Sequence, residues 1–491
     1  MDKKLIFRPG RFSIVVLIFA GVFMNCESTV EKKNYQELFE AGQFTQARQS
    51  IAHIFTSNQA LQTQERLELE FLVERMNRIE KDFTKSREIV VAEIKETIPE
   101  VSNEDIRRWE ESKALEFRII DGEKWYFNRA ARNLFRIDKT AKAIWDEKHA
   151  DDEITSGSGA KLELDKHNAG IIQTTLETGL RYVNPVRMRI TQSIDVDSGA
   201  VPAGEMIRCW IPFPRAINDR QMDISFLGSE PDEHIIAPNS TNLQRTIYMQ
   251  KTSAGDRPTH FEVTYEYTSY GVYAPVTAET VQPLEITPAL ALFLKEEPPH
   301  IVFTRELRDL SERLLEGEEN PYRKAQILFE WIDNNIPWAS AREYSTIGEI
   351  SRYAYENGHG DCGIQTLLFM TLCRMNGIPA KWQSGWEFQP PDDSMHDWGL
   401  IYFEPYGWVP MDVTYGLRQS NQDALHWFYL SGMDSYRLIF NDGISQPFFP
   451  AKTFPRSETI DSQRGEVEWR GGNLYFDQWS WDLKWKVLET S

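Results

Sequence analysis

Cysteine is scarce in this 491-residue chain. Its four, Cys26, Cys209, Cys362 and Cys373, are too few and too scattered for a disulfide framework, and no CxxC pair points to zinc. Cys362 and Cys373 share one helical pattern, and the helical rise carries their Cα atoms well past the roughly 7 Å that a disulfide can bridge. Positive charge is also short. There are 54 Lys and Arg against 74 Asp and Glu, for a net charge of -20. So acidic a chain repels phosphate backbones, which argues against nucleic acid as a partner. The apolar run from Phe12 to Met24 is too short for a membrane-spanning helix. The helix–Gly–helix signature around Gly42 is not followed by a 34-residue period, so the chain is not a repeat array. Asp361, Asp392, Asp393 and Asp397 lack the alternation of a cation-binding loop and are read as solvated. What is present is ordinary for a folded protein: 41% hydrophobic and 26% charged residues, with 15 tryptophans. Most of these aromatics are expected to fill cores.

The first 26 residues combine Lys3, Lys4, Arg8 and Arg11 with the short apolar run, then stop at Cys26 before the polar stretch ESTVEKKNYQ. This resembles a bacterial lipoprotein signal, with Cys26 as the lipidated residue. The resemblance implies a chain exported to the bacterial cell envelope and held to the membrane by an N-terminal lipid. A plain secretory signal or an uncleaved anchor would also send the rest of the chain out of the cytoplasm.

Residues 27–115 read as amphipathic helices, with Gly42 as a break and Ser102 or Asn103 as an N-cap. They are the expected scaffold or contact region for an envelope protein partner. Residues 116–182 read as a small α+β or linker region, with a hairpin turn at Asp121-Gly122 and a surface loop near 151. From 183 to 295, short alternating runs at roughly ten-residue spacing predict an immunoglobulin-like β-sandwich, with Cys209 a small core residue. Helical periodicity returns over 296–445, and 446–491 is an aromatic, strand-like tail. The fold class is therefore multidomain α+β.

The chemistry centres on GHGDCGIQTLLFMTLCRMNGIP, residues 358–379. Ile364, Leu367, Leu368, Thr371, Leu372 and Met375 follow helical spacing, and the pattern closes at Gly377 and Pro379. Cys362 thus sits in the first turn of a buried helix, where backbone N–H groups favour a thiolate and can receive an oxyanion. Cys373 lies mid-helix and reads as core. A base is needed from another element. His396 stands in the strand HDWGLIYF, and Asp412 in the next strand, GWVPMDVTYG. A short turn at 405–407 makes those strands neighbours, so His396 and Asp412 can face each other. His359, three residues before Cys362, reads as solvated or substrate-facing.

These residues resemble the transglutaminase-like superfamily, relatives of the papain-type cysteine enzymes. The carriers are Gly360-Asp361-Cys362, His396-Asp397-Trp398 and Asp412-Val413-Thr414, where the family usually has proline in place of Val413. The helix AQILFEWIDNNIPW before them is similar to the family's pre-catalytic helix. The resemblance covers about 183 to 440 and is strongest from 322 to 416. It implies Cys362 as nucleophile, His396 as base and then acid, and Asp412 as the orienting carboxylate. It also implies an upstream side chain as second oxyanion donor, for which Trp338 is taken, and Gly360, Asp361 and Trp398 as lining of a substrate groove. No metal or cofactor is called for. The expected substrate is a peptide or protein amide, opened through a thioester. Hydrolysis is expected over cross-linking, because an exposed lipoprotein works in water. The competing expectation is a catalytically silent binding or scaffold lipoprotein with the same fold.

Overall fold

The computed structural model describes residues 34–57, 61–149 and 162–488. Cys26 and the loop expected near 151 lie outside the described residues. Among these, no helix is long and apolar enough to cross a membrane. The described residues form two compact units, which fall within Met1–Ile89 with Phe117–Asn128, and within Val90–Glu116 with Arg129–Ser491.

In the first unit, the helices 34–40, Phe44–Ser57 and Thr63–Asp82 accompany a hairpin of Phe117–Ile120 and Glu123–Tyr126. Its turn is the expected Asp121-Gly122, both at positive φ. Gly42 ends the first helix in the left-handed region, at φ 74. A side chain there would also strike the carbonyl oxygen of Ile119, since an added Cβ would lie 2.1 Å from it. Phe39, Phe44, Ile51, Met76 and Ile79 are buried in this unit.

The second unit is mixed α+β. A four-stranded antiparallel sheet runs in the order Gly407–Met411, Asp392–Phe403, Ala380–Gln389, Arg437–Asn441. The helix Cys362–Met375 shares one core with it. Leu367, Leu368, Phe369 and Leu372 pack with Ala325, Leu328 and Ile332 of the helix Pro321–Asn335 and with Trp382, Ile401, Val409 and Met411 of the sheet. Each such fully buried side chain stabilises the fold by about 1.5–3 kcal/mol. Cys373 is part of this core, and burial pushes its thiol up.

Two five-stranded sheets complete the unit. One joins Tyr182–Val196, Gln221–Glu230 and Thr259–Tyr273 with the tail strand Trp479–Leu488. The other joins Met206–Pro212 and Thr246–Thr252 with the tail strand Glu466–Trp469. Their inward residues share a core that includes Ile190, Ile194, Ile211, Met249, Phe261, Val263 and Cys209. The C-terminal strands are thus built into both sheets. The four-stranded sheet contributes Trp386, Phe388, Leu438 and Phe440 to the same core.

Candidate active site

Cys362 is the first residue of its helix. Asp361 caps that helix, its Oδ1 accepting the N–H of Ile364 at 3.1 Å. The chain before it is fixed by backbone pairing: the N–H of Ala339 donates to the Gly360 carbonyl at 2.9 Å, and that of Gly360 to Pro337 at 3.3 Å. Cys362 keeps partial exposure to a cleft of about 340 Å³, whose walls include Trp338, Glu343, Tyr344, Asp361, Asp397 and Arg464.

The His396 and Asp412 side chains meet. His396 Nε2 and Asp412 Oδ2 are 2.7 Å apart, and both residues are buried. The strand register pairs Gly399 with Met411, so Asp412 lies just beyond the paired stretch and diagonally across from His396. Asp412 also accepts from Arg437 Nη1 at 2.9 Å and, through Oδ1, from the backbone N–H of Thr414 at 3.2 Å. Burial alone would raise the Asp412 carboxyl, but His396 and Arg437 outweigh it and hold the pKa below the ordinary value. Burial likewise opposes charge on His396, yet Asp412 and Glu387 prevail and raise its pKa. Nδ1 is then the ring nitrogen left for proton transfer.

Sulfur chemistry departs from the expectation. Among the described residues, the one side-chain hydrogen bond of the Cys362 sulfur is to Asp397 Oδ2, at 3.7 Å. Burial first, then the carboxyls of Asp397 and Asp361, push the thiol well above its ordinary pKa; the Asp397 backbone N–H only partly offsets this. The helix N-terminus does not make this cysteine a ready thiolate. Asp397, expected to be solvated, is 2% exposed. It accepts from Gln463 Nε2 at 2.8 Å and from the Tyr344 hydroxyl at 3.3 Å, and it is hydrogen-bonded to Asp461. Two carboxyls in a mutual hydrogen bond must share a proton, and burial together with Asp461 raises the Asp397 pKa well above the usual range. Burial raises the neighbouring Asp361 to about 6 and Glu458 to about 7.

Other expected roles need correction. Trp398 is 0% exposed and donates its indole N–H to Gln383 Oε1 at 2.7 Å, so it packs the sheet and does not line a groove. Gly360 is buried, and a Cβ there would stand 2.2 Å from Ile364 Cγ2; it permits close chain packing beneath the cleft. His359 is 2% exposed against Tyr353, and burial lowers its pKa, so it is neither solvated nor substrate-facing. Trp338 does reach the cleft, 40% exposed, with the Arg136 guanidinium 4.5 Å over its ring. Tyr344 went unassigned in the sequence, because a lone tyrosine in a short turn carries no pattern. Its hydroxyl donates to Asp361 Oδ1 at 2.7 Å, beside the sulfur.

Gly363 is the residue that admits Tyr344 and Asp397 to the helix start. A Cβ there would lie 2.2 Å from the Tyr344 hydroxyl oxygen and 2.6 Å from Asp397 Oδ2. Gly363→Ala is expected to cost about 1–3 kcal/mol of stability through this overpacking. Urea unfolding measures it; an unchanged midpoint would mean that both side chains swing aside freely.

The Transglutaminase-like superfamily model matches residues 308–413. The uncharacterised protein YebA of Bacillus subtilis is 23% identical over 135 residues, covering 24% of this chain and 18% of YebA, well under two thirds of that protein. A solved candidate cysteine protease from Cytophaga hutchinsonii is 17% identical, covers 63% of this chain and 93% of its own, and superposes with a TM-score of 0.43. The periplasmic domain of TgpA from Pseudomonas aeruginosa is 12% identical, covers 53% and 95%, and gives a TM-score of 0.25. Residues 308–413, which carry Cys362, His396 and Asp412, belong to the transglutaminase-like superfamily.

Proposed function

We propose that the chain is a cysteine enzyme acting on peptide or protein amides, with Cys362, His396 and Asp412 as its reacting set. The observation that carries this is the buried His396–Asp412 pair at 2.7 Å on the strand whose next residue, Asp397, touches the sulfur of Cys362 at a cleft. In the reaction, the thiol proton passes to His396 Nδ1 and the sulfur adds to the amide carbonyl. The tetrahedral oxyanion is received by the Cys362 N–H, with Trp338 as second donor. Collapse breaks the C–N bond. The amine leaves with the proton from His396, and a thioester remains. Water then adds, giving the carboxylate and the free thiol. Hydrolysis is favoured over amine transfer because the enzyme is taken to work at the bacterial cell surface or in the periplasm, anchored through a lipid on Cys26, where water is abundant.

One observation favours a second reading, a catalytically silent binding or scaffold lipoprotein. The sulfur rests against Asp397, which stabilises the protonated thiol. The two readings separate by trapping. The full chain is incubated with peptides from an envelope digest and analysed as the intact protein. A hydroxylamine-sensitive adduct on Cys362, missing from Cys362→Ala, is the expected result. No adduct, with Cys362 alkylated by iodoacetamide as slowly as Cys373, would establish the silent reading.

A further inference from the structure

The cleft lining carries Glu343, Asp361, Asp397, Glu458 and Asp461, yet an arginine row at its rim is paired with none of them. Arg129 lines the cleft itself. Arg132 and Arg136 follow on the helix Ala130–Ile137, at spacings that place all three on one face. Arg129 and Arg132 are exposed and Arg136 is half-buried. The helix is fastened to the cleft wall. Buried Asn133 donates to the Ser340 carbonyl at 2.8 Å and accepts the Ser340 N–H at 3.0 Å. Arg136 lies over Trp338 and donates to the Ser340 hydroxyl at 3.3 Å.

Neighbouring arginines behave differently. Arg464, in the same cleft, is paired with Glu343 at 2.9 Å and with Glu458 at 2.7 Å. Arg342 is paired with Glu116 at 3.1 Å. Among the described residues, none of Arg129, Arg132 and Arg136 joins an ion pair with an acid, in a chain of net charge -20. Burial, followed by the like charges of Arg132 and Arg129, lowers the Arg136 pKa. Three unmatched arginines therefore repel one another along the helix that borders the cleft, and an anion would relieve that repulsion.

We infer that the rim selects the substrate: an extended peptide segment bearing carboxylate side chains beside the amide presented to Cys362. The dimensions fit. Seven residues of helix span about 10 Å, and carboxylates on alternate residues of an extended chain repeat every 7 Å or so. Each guanidinium offers a carboxylate a bidentate partner. This inference rests on the amide-directed reading of the site, and its test does not depend on turnover.

The test uses fluorescein-labelled Gly-Glu-Gly-Glu-Gly-Glu, with its Gln counterpart, on the full chain carrying Cys362→Ala. Fluorescence anisotropy should show the Glu peptide binding about five- to tenfold more tightly, as two or three exposed charge pairs give. Raising salt from about 50 to about 300 mM should erase the difference. In Arg129→Gln/Arg132→Gln, with its melting temperature checked to exclude misfolding, the two peptides should bind alike. In the unmutated chain, the Glu peptide should slow iodoacetamide labelling of Cys362, which places binding at the cleft. Equal binding of both peptides, a preference that survives the double variant, or a short DNA strand binding as well as the Glu peptide would each overturn the inference. Glu-peptide preference with no thioester in the trapping experiment would sink the enzyme reading alone. Thioesters formed equally from neutral peptides would sink the rim alone.

Discussion

Arg437→Met is expected to lower the unfolding free energy by about 3–5 kcal/mol, the scale of breaking a buried ion network from one side. The Arg437 side chain is 0% exposed, with Asp412 at 2.9 Å, Asp434 at 2.8 Å and Glu387 at 3.6 Å. Its guanidinium also lies 5.2 Å from the Trp398 ring centre and 4.9 Å from that of Tyr415. Methionine fills part of that volume and leaves the acids without their cation. The pH dependence identifies the cause. Burial pushes Asp434 up, but Arg437 overrides it and holds the carboxyl at about 2. A carboxyl depressed in the fold contributes stability above its unfolded pKa of about 3.9, and that contribution is lost as pH falls toward 2. His396 has the opposite sign. Its pKa is raised in the fold, so its contribution is complete below about 6.5 and fades as pH rises through the folded value. Denaturant unfolding at pH 3, 5, 7 and 9 measures both limbs. In Arg437→Met the stability lost between pH 5 and 3 should shrink, because Asp434 is no longer depressed. A variant as stable as the parent at pH 7 would show that the acids had taken up protons or water without penalty.

The sequence makes one layer of this site legible and conceals the next. The helix after Cys362 shows because its apolar spacing, the glycine at 377 and the proline at 379 all agree. The His396–Asp412 contact shows because a short turn leaves the two strands no option but to pair. The strand Ala380–Gln389 does not show. It is buried on both faces, so it lacks alternation, and Gln383, Ser384 and Gly385 make it look like loop. Gly385 fits there because a Cβ would lie 1.7 Å from the Leu438 carbonyl oxygen. Asp397 misled for a related reason. An aspartate is read as solvated unless a partner is visible, and its partners come from Tyr344, Asp461 and Gln463, far away in sequence. The tail that supplies two of them reads only as strand-like. Arg437 is hidden in the same way, since nothing local announces three acids converging on it.

Asp397→Asn and Asp461→Asn should move the reactivity of Cys362 in opposite directions. Burial raises both carboxyls, and Asp461 raises Asp397 further, so the pair is taken to hold one proton and about one negative charge between them. In Asp397→Asn the amide can still donate to Asp461 and accept from Gln463, so the contacts survive. The charge then rests on Asp461, which does not touch the sulfur. In Asp461→Asn it rests on Asp397, whose Oδ2 is 3.7 Å from the sulfur. A unit charge at about 4 Å, at the effective dielectric of a protein, opposes thiolate formation by up to about 4 kcal/mol, falling as it moves away. A net difference of about 1–2 kcal/mol is reasonable, roughly a tenfold change in thiolate fraction each way. Asp397→Asn should therefore be alkylated by iodoacetamide about tenfold faster than the parent near pH 7, with its midpoint at lower pH. Asp461→Asn should be slower, with its midpoint higher. Equal acceleration in both would mean that removing either acid merely loosens the cleft. No change in either would show that the sulfur leaves Asp397 before it reacts. If the enzyme reading holds, thioester yield should follow the same order, because the thiol proton held against Asp397 is the one His396 must take.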